Sequence, residues 1–200
     1  MFYLRQNSVS ALRSFAMGAS QKTNLNEFKY FLPIQSRWND NDHQGHINNA
    51  VYYEYMDLVI NNYLNLHCNF KGSRFMVHTS FDYYKPIKWP ESFVGALMVD
   101  KIGKSSVHYK FGLFKSALED KVKTIERNEN TSDFSSRGIL SQQDKVDFIS
   151  KSYQQYPLAI GTAVHVFIDD KSGKPVTEMP AYLRKRLSWL TNYTKLDSKV

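Results

Sequence analysis

The chain has 200 residues, of which 42% are hydrophobic, and it carries a formal net charge of +7. This composition is sufficient for one domain with a sizeable core, and a mean hydropathy of −0.48 indicates that no segment spans a membrane. The single cysteine, Cys68, excludes a disulfide framework and a pair of thiol metal ligands, and its apolar neighbours favour a buried structural residue.

Residues 1–26 differ in composition from the rest of the chain. Their only charged residues are Arg5, Arg13 and Lys22, and their apolar residues fall roughly on one helical face. This pattern is typical of a mitochondrial transit peptide, and a disordered tail on a cytoplasmic protein is the alternative. Because part of the basic charge lies in this tail and no RNA-binding motif is present, we predict no nucleic-acid partner.

We expect residues 1–30 fused to a fluorescent reporter to enter mitochondria, because basic residues beside an apolar helical face are what import requires. Imaging against a mitochondrial dye measures the outcome. A diffuse cytosolic signal without a shortened mature form would contradict this prediction.

The first folded elements are a strand and a polar loop. Phe28, Tyr30, Leu32 and Ile34 alternate with other residues, which predicts a strand that leads to the run RWNDNDHQGHINN at residues 37–49. This run opens onto an apolar helix, whose free amide groups and positive dipole end can stabilise an anionic intermediate. Asp42 lies close enough to act as a base or a nucleophile, so the combination indicates hydrolysis at a carbonyl group.

Residues 47–66 predict a helix of about five turns. Its strongly polar positions recur at spacings of three and four residues and form a single narrow stripe, which consists of Glu54, Asp57, Asn61 and Asn65. A helix that is apolar on its remaining faces must be wrapped by other elements on most sides.

Three strands are predicted next, at about residues 76–84, 93–101 and 106–115, joined as a meander. Residues 118–157 are polar and predict an insertion that is poorly ordered and dispensable, or that forms a lid. A last strand at 163–168 and a terminal helix containing Trp189 follow. The predicted organisation is a tail (1–26), the first part of the domain (27–117), the insertion (118–157), and the last strand with the C-terminal helix (158–200).

Three segments resemble, in order, the signature of hotdog-fold acyl-CoA thioesterases, the group that contains 4-hydroxybenzoyl-CoA thioesterase and the acyl-ACP thioesterases. They are the pattern Arg-Trp-x-Asp-x-Asp-x-x-Gly-His-Ile-Asn-Asn-x-x-Tyr-x-x-Tyr from Arg37 to Tyr55, the stretch from Tyr84 to Ser106, and the apolar run ending at residues 175–180. The resemblance covers roughly residues 29–116 and 159–190. It implies an α+β hotdog fold, in which a curved antiparallel sheet of about five strands wraps one long central helix.

The resemblance also implies hydrolysis of acyl-CoA or acyl-ACP thioesters, with no cofactor or metal, at a subunit interface of a homodimer or homotetramer. Asp42 matches the aspartate that acts as general base or nucleophile, and the sequence leaves both roles open. Asp40 matches a first aspartate that is expected to fix the loop. His46 is expected to orient water or polarise the carbonyl, and helix capping beside Tyr52 is the alternative.

Further site residues follow from the same resemblance. Asn48 and Asn49 match the paired asparagines and are expected to shape the site as capping residues. Tyr52 is a candidate for the wall of an acyl pocket, with core packing as the alternative. The candidates for contact with coenzyme A phosphates are lysines in two loops, for which a solvated strand rim is the alternative: Lys85, Lys88, Lys101 and Lys104.

Other functions fit the loop less well. Metal binding by its acidic and histidine residues lacks the ligand spacing of a helical zinc site or a calcium loop. The hydratase branch of the hotdog fold has its Asp and His five residues apart, whereas Asp42 and His46 are four apart. Gln44 stands where the acyl-ACP branch has an asparagine, which leaves a non-catalytic protein that binds acyl-CoA or an acyl carrier as the alternative function.

Overall fold

The computed structural model describes residues 23–117, 139–140 and 143–192. Most of the predicted tail and residues 118–138 of the predicted insertion therefore lie outside the described residues. Within the described ranges, no helix is both long and apolar enough to cross a membrane.

The longest element is helix α1 (Asn49–Leu66), which confirms the predicted helix and begins two residues later than expected. The side chain of Asn48 caps it by accepting a hydrogen bond from the amide of Ala50 at 3.0 Å. Glu54, Asp57 and Asn65 lie on the exposed stripe. The buried face consists of Val51, Tyr52, Tyr55, Met56, Val59, Ile60, Tyr63 and Leu64.

In the described part of the chain, six antiparallel strands form one sheet around α1, in the order β2-β6-β4-β3-β1-β5. They are β1 (Tyr30–Gln35), β2 (Ser73–Tyr83), β3 (Ser92–Ile102), β4 (Ser106–Lys115), β5 (Ile139–Leu140) and β6 (Ala159–Ile168). The inward side chains of the five long strands and the buried face of α1 share one hydrophobic core. A long helix wrapped by a curved antiparallel sheet is the hotdog arrangement that the sequence predicts.

The strand order corrects the predicted meander. β3 and β4 form the expected hairpin, but β2 pairs with β6 and ends the sheet in the described part of the chain. Alternating apolar residues determine which face of a strand is buried, but they do not determine its neighbour. β2 is therefore an edge strand, on which Phe75, Met76 and Val77 are exposed at 61%, 40% and 59%.

A second hydrophobic cluster lies on the outer face of the sheet. The segment that covers it belongs to the predicted insertion, and part of that prediction is therefore wrong. Helix α2 (Gln143–Ser152) places Ile149 on this face with 2% of its side chain exposed, beside Leu25 of a short 3-10 helix. Backbone hydrogen bonds attach the segment, from Leu25 to Gln155 at 3.0 Å and from Ala117 to Ser152 at 2.8 Å. Residues 143–157 are thus part of the folded domain rather than a poorly ordered loop.

Helix α3 (Ala181–Ser188) packs against the carboxyl-terminal half of α1. Its Leu183 and Leu187 are fully buried, and the hydroxyl of Tyr63 donates a hydrogen bond to the carbonyl of Arg186 at 2.6 Å. The predicted terminal helix is confirmed, although it ends one residue before Trp189, which is its C-cap.

A buried histidine makes the fold sensitive to acid. His165 on β6 has 2% of its surface exposed and meets the ring of Tyr109 edge-on at 5.4 Å. Burial, with a smaller effect of the Arg74 charge, lowers the pKa of His165 to about 4. Its Nδ1 has no hydrogen-bond partner among the described residues.

We expect the protein to lose stability between pH 6.5 and 4 through His165. Below its ordinary pKa of about 6.5 the unfolded chain takes up a proton that the folded chain excludes, which costs roughly 2 kcal/mol by pH 5. Urea unfolding at pH 7 and pH 5 measures the difference, and His165→Gln should remove it. Equal pH dependence in the two proteins would contradict the prediction.

Candidate active site

The loop between β1 and α1 is built on Asp40. This carboxylate is 1% exposed and accepts hydrogen bonds from the amide and guanidinium of Arg37, at 2.6 and 2.9 Å, and from the hydroxyl of Tyr55 at 2.6 Å. Burial raises the pKa of Asp40, but these hydrogen bonds outweigh it and hold the pKa below its ordinary value. Asp40 therefore ties the loop to α1 as an anion, and its carboxylate does not line the cavity described below.

Asp42 organises the second half of the loop. Its Oδ1 accepts hydrogen bonds from the amides of Gln44 at 2.8 Å and His46 at 3.3 Å, and its own amide donates to the carbonyl of His46 at 2.7 Å. Gly45 turns the chain between them with φ at +77°, in the left-handed region that favours glycine. The result is a closed turn that places Asp42 and His46 side by side.

The charge state of Asp42 follows from these contacts. Burial acts to raise the pKa of Asp42, but the amides of Gln44 and His46, with the nearby imidazoles of His43 and His46, hold it below its ordinary value. Asp42 is therefore ionised at neutral pH. Its second oxygen, Oδ2, is bonded to no donor within the described part of the chain, so one carboxylate oxygen is available to a ligand.

A cavity of about 490 Å³ opens beside this carboxylate at the amino end of α1. It brings together six of the predicted site residues, which are Asp42, His46, Asn48, Asn49, Tyr52 and Lys85. The remaining lining residues are Gln44, Ile47, Tyr83, Tyr84 and Pro86. The residues predicted from the loop motif thus line one cavity, which has room for a substrate group.

The start of α1 contributes backbone groups to this cavity. Asn48 uses its side chain for the cap on Ala50, as expected for a shaping residue. Asn49 is the first helical residue, and its amide has no acceptor among the described residues. This amide and the positive end of the helix dipole are available to an oxygen that gains negative charge.

The loop after β2 also lines the cavity, and two hydrogen bonds attach it to the loop between β1 and α1. The amide of Ile47 donates to the carbonyl of Ile87 at 2.7 Å, and the amide of Trp89 donates to Oδ1 of Asn41 at 3.1 Å. These bonds hold Lys85 at the cavity although it is more than forty residues from Asp42 in sequence.

Of the four lysines predicted to contact coenzyme A, the structure brings only Lys85 to the lining of this cavity; Lys88, Lys101 and Lys104 do not line it. Lys104 lies farthest along the chain from the cavity residues. It lies in the turn between β3 and β4, whereas the cavity lies at the opposite end of the sheet, where β3 begins. Eleven residues of β3 separate the two ends, which corresponds to roughly 35 Å of extended chain. A match to a family motif carries no information about which end of the sheet a turn occupies.

Tyr83 and Tyr84 line the cavity although the sequence pattern does not single them out as site residues. Tyr83 follows Phe81 at a spacing of two on β2, so the alternation of that strand already predicts that both rings lie on one face. The alternation gives no indication that this face meets Tyr52 at the cavity.

Two other chemistries receive no support from the geometry. Cys68 is buried away from the cavity, and burial raises the pKa of its thiol to about 12, which keeps it protonated. Across the described ranges, no three acidic, histidine or cysteine side chains are grouped as metal ligands.

Comparisons with known proteins agree with this geometry. A family model described as the thioesterase-like superfamily matches residues 36–187. The PA5185 protein of Pseudomonas aeruginosa PAO1 is 28% identical, with a TM-score of 0.63, over 86% of this chain and 97% of that one. No curated protein matches the chain.

Two more distant structures share the fold. A Thermus thermophilus thioesterase complexed with coenzyme A and Zn is 18% identical, with a TM-score of 0.54, over 82% of this chain and 95% of that one. A 1,4-dihydroxy-2-naphthoyl-CoA thioesterase from Synechocystis is 11% identical, with a TM-score of 0.55, over 80% and 95%. Since the family model spans most of the chain, this protein belongs to the thioesterase-like superfamily of hotdog-fold thioester hydrolases.

Proposed function

We propose that this protein hydrolyses acyl-CoA thioesters to a free acid and coenzyme A. The observation that carries the proposal is the ionised Asp42, which has one unbonded carboxylate oxygen in a cavity at the amino end of α1. A thioester carbonyl in this cavity would have Asp42 as nucleophile or base, and the free amide of Asn49 would be available to its oxygen. No other described carboxylate lines the cavity.

Two routes lead to the same products. In the nucleophilic route, Asp42 forms a bond to the carbonyl carbon, the carbon–sulfur bond breaks to release the CoA thiolate, and water hydrolyses the resulting anhydride. In the general-base route, Asp42 takes a proton from water as that water attacks the carbonyl, and the thiolate leaves and is protonated. A single turnover in H2¹⁸O identifies the nucleophilic route when ¹⁸O enters Asp42, which requires an anhydride whose aspartyl carbonyl is attacked by water. Trapping of the acylated Asp42 by hydroxylamine detects the anhydride when water attacks the acyl carbonyl instead.

His46 and Asn49 support either route. The imidazole of His46 lies on the cavity wall beside Asp42, where it can orient water or donate to the carbonyl oxygen. The amide of Asn49 stabilises the oxyanion that forms when the carbonyl becomes tetrahedral.

Among the described residues, Lys85 is the lysine that lines the cavity, and we propose that it binds the phosphates of coenzyme A. Its side chain has no ion pair with a described residue. Coenzyme A in the related Thermus thermophilus structure supports this choice of thiol carrier. Lys88 follows Lys85 in the same loop and is also exposed, so this rim of the site is basic.

In a dimer, Lys104 of the second copy would lie nearer to this cavity than Lys104 of the same copy does. If the edge strand β2 pairs with β2 of a second copy in the antiparallel sense, the beginning of that copy's β2 lies beside the end of this one. The turn that holds Lys104 is at the same end of the sheet as the beginning of β2. It would then lie three or four strand spacings, roughly 15–20 Å, from the β2 end of this cavity.

We expect purified protein lacking residues 1–22 to release free thiol from acyl-CoA substrates. A colorimetric thiol assay with a panel of short, long and aromatic acyl-CoAs measures the rate, and acyl-ACP substrates in the same assay distinguish the two carriers. Tight binding of acyl-CoA or acyl-ACP without turnover would replace the proposal with the non-catalytic alternative, which Gln44 in the catalytic loop favours.

A further inference from the structure

A row of aromatic rings runs from the cavity wall into the core. Tyr52 and Tyr83 line the cavity, and their ring centroids lie 4.9 Å apart at 88°. Behind them, Phe81 lies 5.9 Å from Tyr52 and 5.7 Å from Tyr83. Phe81 in turn meets Tyr53 at 4.9 Å and Phe111 at 6.0 Å.

The position of Phe81 depends on Gly161. The two residues are direct partners in the pairing of β2 with β6. A Cβ atom at position 161 would lie 2.6, 2.8 and 3.0 Å from three atoms of the Phe81 ring, closer than such contacts occur. The tip of the Phe81 ring therefore lies over position 161 because this position has no side chain.

The row of aromatic rings ends the cavity in the direction of the α1 axis. Tyr52 is 2% exposed and Phe111 is fully buried, so the space behind the wall is filled. Tyr52 follows the cap residue Asn48 by four positions, so the wall stands about 6 Å along the helix axis from the start of α1. An acyl group that extends further along the helix has to displace the aromatic rings.

We propose that Tyr52, Tyr83 and Phe81 form an aromatic plug that limits the substrate to compact acyl groups, meaning a short chain or a single ring. The proposal rests on the proposed acyl-CoA hydrolysis and names the acyl class that this site selects. Gly161 is the positioning residue that seats the plug. The edges and faces that Tyr52 and Tyr83 present also suit an aromatic acyl group.

The first test compares kcat/KM for butyryl-CoA, benzoyl-CoA and decanoyl-CoA. The wild-type protein should prefer the two compact substrates over decanoyl-CoA by at least about 100-fold, because the longer chain has to displace rings that pack against one another. Phe81→Ala and, separately, Tyr83→Ala should raise the ratio of decanoyl to benzoyl hydrolysis by at least about 10-fold. Tyr182→Ala, an exposed tyrosine on α3, is the matched control and should keep the wild-type ratio.

The second test uses Gly161→Ala, which forces the Phe81 ring off β6. Alone, this substitution should change kcat/KM for benzoyl-CoA, whereas in the Phe81→Ala background it should have little effect, since no ring remains to be displaced. Equal effects of Gly161→Ala in both backgrounds would overturn the role of Gly161. A wild-type protein that hydrolyses decanoyl-CoA as fast as benzoyl-CoA would overturn the plug while leaving thioester hydrolysis intact.

Binding of stable thioethers separates the plug from the reaction itself. Calorimetry with S-benzyl-CoA and S-decyl-CoA should show the same preference in the wild-type protein and its loss in Tyr83→Ala, whose side chain is partly exposed and so tolerant of truncation. Discrimination between the thioethers without thiol release from any thioester would support the plug and contradict hydrolysis. Equal binding of both thioethers, or no binding, would overturn the plug.

Discussion

Asp42→Asn is expected to lower kcat for acyl-CoA hydrolysis by about 10²–10⁴-fold, the usual cost of losing a general base. The substitution keeps the shape of the side chain and an oxygen that can accept the amide hydrogen bonds of Gln44 and His46, so the loop should remain closed. Steady-state thiol release and thermal unfolding of the same preparations measure the two effects separately. Near wild-type turnover with unchanged melting would contradict the role of Asp42 and direct attention to Asp40 and Glu54.

Asp40→Asn is the matched control, because it changes a neighbouring carboxylate of the same loop in the same way. Asp40 is buried and accepts hydrogen bonds from Arg37 and Tyr55, so its neutralisation should destabilise the fold by about 2 kcal/mol, the usual contribution of a hydrogen bond to a charged group. The two variants should therefore differ in kind: Asp42→Asn lowers the rate, and Asp40→Asn lowers the melting temperature. Since the pKa of Asp42 lies below its ordinary value, the wild-type rate should fall only at pH values below the usual titration range of an aspartate.

If two copies of the chain associate through β2, charging this edge should separate them and remove most of the activity. The edge carries exposed Phe75 and Val77, with exposed Leu58 and Leu66 on α1, which is an apolar surface suited to a second copy. In the double variant Phe75→Asp and Val77→Asp, like charges from two copies would face each other at a cost of several kcal/mol, so association should weaken by roughly 10³-fold. Light scattering measures the mass, and thiol release measures the activity.

Tyr182→Asp provides the control for this experiment, because it places the same charge on an exposed aromatic residue of α3, which packs against β3, three strands away from β2 in the sheet. This variant should keep the wild-type mass, which light scattering also identifies as a dimer or a tetramer. A wild-type monomer with full thioesterase activity would contradict an active site shared between subunits. A charged-edge variant that becomes monomeric and stays fully active would show that Lys104 of a second copy is not needed.

The catalytic loop could be predicted from the sequence because its contacts are local. Asp42 bonds to residues two and four positions away, and Asn48 caps a helix that begins at the next residue. The side-chain types, the glycine at the turn and the apolar helix that follows are therefore enough to identify the loop, whatever surrounds it. The helix itself could be predicted because its few polar residues recur at helical spacing.

The tertiary structure decided which distant residues join that loop. Lys85 and Tyr83 reach the cavity and Lys104 does not, because strand alternation specifies a buried face but neither the neighbouring strand nor the end of the sheet. For the same reason, the packing of residues 143–157 could not be predicted. Their polar composition gave no indication that Ile149 covers an outer apolar face of the sheet. By itself, the sequence determined the reactive groups and the helix that presents them. The pairing of β2 with β6 determined where the ring behind the cavity residue Tyr52 lies, since it brings Phe81 over Gly161 and against Tyr52.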